Sequence, residues 1–185
     1  SGFGFWGRAI KYGLFYRPPQ KNHYLLASSA YTAADHARLH EFRGKTLRWG
    51  YFPQTIGYDL PQLMAEKNPT GILWAARMIP WKHPEYAIDV AKQLRQWGCA
   101  FTMELVGNGE LQQEMERLVA KEGLQEQVKL TGACTPEQVR RKMERAAIFL
   151  VTSDQNEGWG AVVNEAMNSG CAVVACRGVG AAPFL

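Results

Sequence analysis

From residue 71 onward, short and largely apolar runs alternate with segments that are apolar on one side only. The runs are Gly71–Ala75, Phe101–Val106, Val128–Leu130, Ile148–Thr152 and Ala172–Ala175. Between the first two, Tyr86, Ile88, Val90, Ala91, Leu94 and Trp97 recur at helical spacing, predicting a helix over 85–97 that stops at Gly98. Further helices are predicted over 110–121, 135–145 and 160–168. Thr135-Pro136-Glu137 supplies a cap, a first-turn proline and an acid for the third of them. Strands apolar on both sides need both faces of their sheet covered, so the pattern predicts an α/β fold, a doubly wound parallel sheet. Such a sheet would continue past the Gly-rich stretch 178–185, so the chain is expected to be cut at its C-terminus.

Residues 1–50 read differently. Tyr24–Ala27 and Thr46–Trp49 read as strands around a helix over 33–42, a β-α-β unit too small to stand alone. It is expected to be the tail of a preceding domain. Residues 51–70, with three prolines, read as a linker, and 71–185 as the second domain. The chain starts without Met, which points to processing or cutting. The first 50 residues carry 8 Lys/Arg against 2 Asp/Glu, within a net charge of +4 over 185 residues. That basic stretch, where Phe3, Phe5, Trp6, Phe15 and Tyr16 interleave with Arg8, Lys11 and Arg17, suits an anionic membrane or nucleic acid, or is an ordinary solvated or packed face. The longest clean apolar run, 146–151, is far too short to cross a bilayer. Cys99, Cys134, Cys171 and Cys176 form no C-x-x-C pair, so a reducing cytoplasm is expected and a metal site is not.

Several motifs fail. Gly44-Lys45-Thr46 resembles the end of a P-loop, but the glycine required five residues earlier is Leu39. Gly107-x-Gly109 resembles a dinucleotide fingerprint, but the third glycine is Gln112. His36 and His40 share a helix face without a third ligand.

Three features converge. Asn156-Glu157-Gly158-Trp159-Gly160 precedes a helix carrying Glu165, so two carboxylates flank a helix start at about Gly160–Val163 that favours an anion. Carboxylates beside an anion repel it. They are therefore expected to grip hydroxyl-rich groups on either side, the layout of a nucleotide diphosphate sugar. An acid before a helix and an exposed acid within it would look the same. Arg77 and Lys82 follow the first strand at the sheet's carboxyl edge, where they can neutralise a diphosphate, or be plain surface cations. Gly107-Asn108-Gly109 makes room at the end of the second strand.

With these residues in view, 71–185 resembles the second domain of retaining nucleotide-sugar glycosyltransferases with the GT-B fold, of the glycosyltransferase family 4 type. The matching stretches are Ala75–Lys82, Leu105–Gly109, Val128–Gly132, Glu157–Gly160 and Glu165–Gly170. Residues 23–50 resemble the end of that fold's first domain. The resemblance implies that Arg77 and Lys82 hold the donor diphosphate and stabilise the leaving group. It implies that Glu157 binds the transferred sugar and Glu165 the ribose. Gly158, Trp159, Gly160, Ala161 and Val162 would touch sugar and phosphate. Leu130 and Thr131 would pass beside the base, with Gly107 and Gly109 lining the donor site. Ala76 and His83 depart from glycines common in that family. The implied activity is sugar transfer with retention and without a cofactor or obligatory metal, the chain by itself being inactive. The alternatives are a non-catalytic nucleotide or sugar-phosphate binding module, or a nucleotide-sugar epimerase of the same fold. Expected partners are a nucleotide sugar and a carbohydrate or lipid-linked acceptor, with peripheral membrane contact through the N-terminal segment and no nucleic acid. The expected location is the cytoplasm, at the inner face of the membrane.

Overall fold

The computed structural model describes residues 22–39 and 41–185, with Gly7 and Ile10. His40 and the aromatic and basic residues at 3, 5, 6, 8, 11, 15, 16 and 17 lie outside the described residues. The chain divides into two compact units, Ser1–Tyr51 and Phe52–Leu185.

In the first unit, β1 (Leu25–Ala27) and β2 (Thr46–Arg48) pair in parallel, with Leu26 opposite Leu47, around α1 (Thr32–Arg38). The helix is shorter than the predicted 33–42. The Glu41 N–H bonds back to His36 O at 2.9 Å, a span that closes a helix, and Phe42 takes a left-handed φ of 46°. His36 is occupied by Glu41, its Nδ1 lying 2.9 Å from Oε2.

The second unit begins with a correction. Residues 51–70 read as linker, yet α2 (Leu60–Ala65) lies within them and β3 (Asn68–Ala75) starts before their end. The turn-forming residues misled. Asp59 is the N-cap, accepting from the Gln62 N–H at 3.1 Å, and a first-turn proline such as Pro61 has no helical hydrogen bond to lose. Residues ahead of α2 are also held down. Asn168 both accepts from Ile56 N–H (2.9 Å) and donates to Ile56 O (3.0 Å), and the Tyr58 hydroxyl reaches Glu144 at 2.6 Å.

The remaining elements are α3 (Pro84–Gln96), β4 (Thr102–Val106), α4 (Gln112–Lys121), β5 (Val128–Gly132), α5 (Pro136–Arg145), β6 (Ala146–Val151), α6 (Val162–Asn168) and β7 (Ala172–Ala175). The five strands form one parallel sheet in the order β5-β4-β3-β6-β7. Side chains alternate across it. Ile72, Trp74, Met103 and Leu105 pack with Ala87, Ile88 and Ala91 of α3 and Met115 and Val119 of α4. Leu73, Phe149 and Val151 pack with Met143 of α5 and Val163 and Ala166 of α6. Each fully buried side chain of this size contributes roughly 1.5–3 kcal/mol of hydrophobic stabilisation. The predicted doubly wound sheet is the fold observed.

The order places a topological switch between β3 and β6. The chain leaves β3 toward β4 and β5, then returns across β3 to β6 and β7. The loops after β3 and β6 therefore diverge around one crevice at the carboxyl edge.

Candidate functional site

Two loops carry the candidate charges to that crevice. The loop after β3 is zipped to the turn after β4 by backbone bonds: Ala76 N–H to Val106 O (3.1 Å), Met78 N–H to Asn108 O (2.8 Å) and Leu111 N–H to Met78 O (3.0 Å). This explains the two glycines. A Cβ on Gly107 (φ 134°) would stand 1.8 Å from Ala76 O, and one on Gly109 (φ 156°) 2.3 Å from Met78 O. The room made at this turn is filled by the backbone of the Arg77 loop.

Beyond Met78, a single 3₁₀ turn (Pro80–Lys82) brings Trp81 back under Arg77, whose guanidinium carbon lies 5.7 Å from the indole centroid. Arg77 is exposed and, among the described residues, pairs with no carboxylate. The turn is held from beneath by a relay. Buried Trp74 Nε1 donates to Thr152 Oγ1 at 2.7 Å, and that hydroxyl donates to Lys82 O at 2.6 Å. The Asp154 N–H donates to Trp81 O at 3.0 Å, so the loops after β3 and β6 are joined backbone to backbone.

Across this joint the Lys82 ammonium and the Glu157 carboxylate are in direct contact, both side chains less than one-fifth exposed. The structure therefore brings these two predicted residues together, 75 positions apart in the chain. The Glu157 loop is shaped by Asp154, whose Oδ1 accepts from Asn156 N–H at 2.7 Å. The carboxyl of Asp154 is held below its usual value, first by that backbone bond.

Gly160 takes φ 79°, so α6 starts at Val162 instead of the predicted 160. One consequence bears on the helix start at about Gly160–Val163 that was expected to favour an anion: the Val163 N–H is already bonded to Gly160 O at 2.9 Å. A Cβ on Gly160 would stand 2.8 Å from Val179 Cγ1. Trp159 is fixed by its Nε1 bond to Asn164 Oδ1 (2.6 Å) and its ring contact with Phe184 (5.3 Å). Gly158 O and Trp159 O accept from Gly180 and Ala181 N–H groups, seating the loop on the segment after β7. Glu165 is half-buried in the first turn of α6. Its backbone oxygen accepts from Arg140 Nη1 at 3.1 Å.

Two predicted residues are engaged elsewhere. The Thr131 hydroxyl donates to Glu104, which also receives Lys142 Nζ at 2.7 Å. Leu130 packs against the α3–α4 core. Burial works to raise the Glu104 carboxyl, but the bonds from Lys142 and Thr131 outweigh it and hold it below its ordinary value. Glu104 and Lys142 line a groove of about 790 Å³, with Asn68, Thr102, Val128 and Ala146, away from the switch-point loops.

Sequence reasoning missed Trp81, Thr152 and Asp154 as parts of the site. Nothing local marks them, because each matters through a partner in the other loop. His83 was visible only as a departure from glycine. Among the described residues no group of three or more His, Cys, Asp or Glu could hold a metal ion, and the four cysteines are free thiols. No described helix is long and apolar enough to cross a membrane.

The family model described as glycosyl transferases group 1 matches residues 59–183. The amylovoran biosynthesis glycosyltransferase AmsK of Erwinia amylovora is 30% identical over 132 residues, covering 69% of this chain and 32% of that protein. The chain spans about three tenths of the length of the curated relatives it matches. Among solved structures, Anabaena HepE in complex with UDP and glucose has a TM-score of 0.67 at 21% identity, covering 88% of this chain and 46% of that one. A mutant of S. aureus TarM, in complex with fondaparinux, α-GlcNAc-glycerol and UDP, has a TM-score of 0.65 at 20% identity, covering 78% of this chain and 28% of that one. At these identities the likeness speaks for the fold, the GT-B glycosyltransferase architecture. With the family match spanning more than half of its residues, the chain belongs to the glycosyl transferases group 1 family.

Proposed function

We propose that unit 52–185 binds the donor of a retaining glycosyltransferase, a nucleoside diphosphate sugar, and that a carbohydrate or lipid-linked acceptor receives the sugar. The observation that carries this reading is the Lys82–Glu157 pair at the switch point, with the exposed guanidinium of Arg77, which has no carboxylate partner among the described residues, on the same loop as Lys82. HepE, which shares this fold, was crystallised with UDP and glucose.

In this reading an arriving diphosphate draws Lys82 away from Glu157. Lys82 and Arg77 then neutralise the phosphates, and they stabilise the charge that grows as the nucleoside diphosphate leaves. Glu157, released from its ion pair, accepts hydrogen bonds from hydroxyls of the transferred sugar. Glu165 accepts from the ribose, and the backbone from Gly158 to Val162 lies along sugar and phosphate. Leu130 and Thr131 have their side chains committed, so only the backbone there is left to pass beside the base. Lys82 exchanges a carboxylate for a phosphate, while Glu157 gives up an ammonium for charge-assisted hydrogen bonds from sugar hydroxyls, so the sugar must supply what the ion pair loses. Retention follows from the family 4 resemblance.

Calorimetric titration of the chain with UDP and with uridine tests the reading. Lys82→Met is expected to weaken UDP binding at least tenfold and to leave uridine binding unchanged. Equal losses for both ligands would overturn the diphosphate assignment.

A further inference from the structure

Position 83 carries a side chain where its backbone favours none. His83 has φ 46° and ψ 58°, a left-handed conformation that glycine adopts freely and a histidine holds only against steric resistance. Its ring joins two elements. Nδ1 lies 2.7 Å from Glu85 Oε1 in the first turn of α3. Nε2 lies 3.5 Å from Asp154 Oδ2, in the loop that carries Glu157. The ring also stacks on Tyr86, at 4.7 Å between centroids and 6° between planes. Glu85 and Tyr86 are the titratable groups that face it from α3, and Asp154 the one from the loop after β6. Lys82, the adjacent cation, is turned onto Glu157.

A neutral imidazole has one N–H and can donate to only one of these carboxylates, whereas an imidazolium donates to both. The Glu85 bond is the largest influence on the ring. It outweighs burial and, with Asp154, keeps His83 protonated above the ordinary 6.5.

We propose that His83 is a positioning residue whose imidazolium clamps the Asp154–Gly160 loop to the start of α3, so that one proton, outside the substrate contacts, sets how firmly the donor is held. The inference rests on the donor-site reading above. It concerns Glu157 most directly, since Asp154 is both the clamp's second partner and the residue that shapes the turn leading to Glu157. As pH rises through the His83 titration the ring loses one N–H, the contact to one carboxylate is released, and donor affinity falls.

The test is titration with UDP-glucose, whose diphosphate has no proton to lose over the range, at about pH 6 and about pH 8.5. The wild type is expected to bind roughly three- to tenfold more weakly at the higher pH. His83→Gly keeps the left-handed backbone and is expected to bind at the weaker value at both pH values. Asp154→Asn, which keeps an Oδ1 acceptor for the Asn156 N–H, is expected to do the same. A merely structural role for His83 would shift the urea midpoint of His83→Gly without flattening the pH dependence. A wild type that binds with no pH dependence, or a variant that keeps the wild-type dependence, would overturn the clamp alone. A wild type that binds UDP-glucose at neither pH would overturn the donor-site reading and the clamp with it.

Discussion

Two of this unit's lysine–glutamate pairs serve it in different ways. Lys82 and Glu157 meet between two loops at the switch point, while Lys142 and Glu104 meet between α5 and the face of β4. The loop pair is the less exposed of the two, at 18% and 17% against 27% for each member of the other. Exposure therefore does not separate them; anchorage does. Helix and strand hydrogen bonds hold Lys142 and Glu104 in place, and the Thr131 hydroxyl completes the carboxylate, so this pair fastens a helix to a sheet. Lys82 and Glu157 ride on loops held at their roots by Thr152 and Asp154, which leaves their side chains free to change partners. Identical chemistry thus gives a fastening on regular elements and a candidate binding site on loops.

The comparison can be broken first at the roots of the loops. Gly107→Ala would drive a Cβ into Ala76 O and is expected to cost about 3 kcal/mol or more in urea unfolding, with UDP binding lost alongside. A loss below about 1 kcal/mol would show that the zip between the two turns does not hold the Arg77 loop. Arg77→Ala is expected to weaken UDP binding by about 1.5–3 kcal/mol while leaving the unfolding midpoint unchanged, since the guanidinium is exposed and lies over the Trp81 ring without a carboxylate partner among the described residues. If the midpoint falls and UDP affinity does not, Arg77 is a structural cation.

Sharpening comes from the two candidate carboxylates. Glu165→Gln is expected to weaken both UDP and UDP-glucose by about 1.5 kcal/mol, because ribose is common to both. Glu157→Gln is expected to weaken UDP-glucose alone, UDP binding staying level or tightening slightly as Lys82 loses its competing partner. Reversed responses in paired titrations would exchange the sugar and ribose assignments.

The smallest effect is expected at the fastening pair. Lys142→Met should cost about 1 kcal/mol of stability and nothing in UDP affinity. Glu104 titrates lower in the folded protein than in the unfolded chain, so its ionised form stabilises the fold above the unfolded carboxylate range. That contribution is lost as pH falls from about the ordinary 4.5 through the depressed folded value. Acid unfolding followed by circular dichroism should show a shallower loss in Lys142→Met, and parallel curves would remove Glu104 from the account.

The strands were the most legible part of the fold. Runs such as Ile148–Val151 are apolar at every position because each side of a covered parallel sheet meets a helix. The helix at 60–65 was hidden by Asp59 and Pro61, residues that serve a turn and a helix start equally well. In the candidate site, Arg77 and Lys82 stood out as cations just after a strand, and Glu157 and Glu165 as carboxylates flanking a helix start. Thr131 was placed beside the base by the family resemblance, and only the packed sheet shows its hydroxyl committed to Glu104.

By itself, the sequence determined the element types, the parallel sheet and the edge on which the charges gather, because hydrophobic periodicity and the ends of strands are local properties. Tertiary structure alone decided which charges meet. Lys82 could have paired with any nearby carboxylate, and it found Glu157 because the strand order sets β3 beside β6 and Thr152 and Asp154 tie the following loops together. Partner choice between residues 75 positions apart depends on sheet order and on backbone bonds between loops, neither of which leaves a periodic trace in the chain.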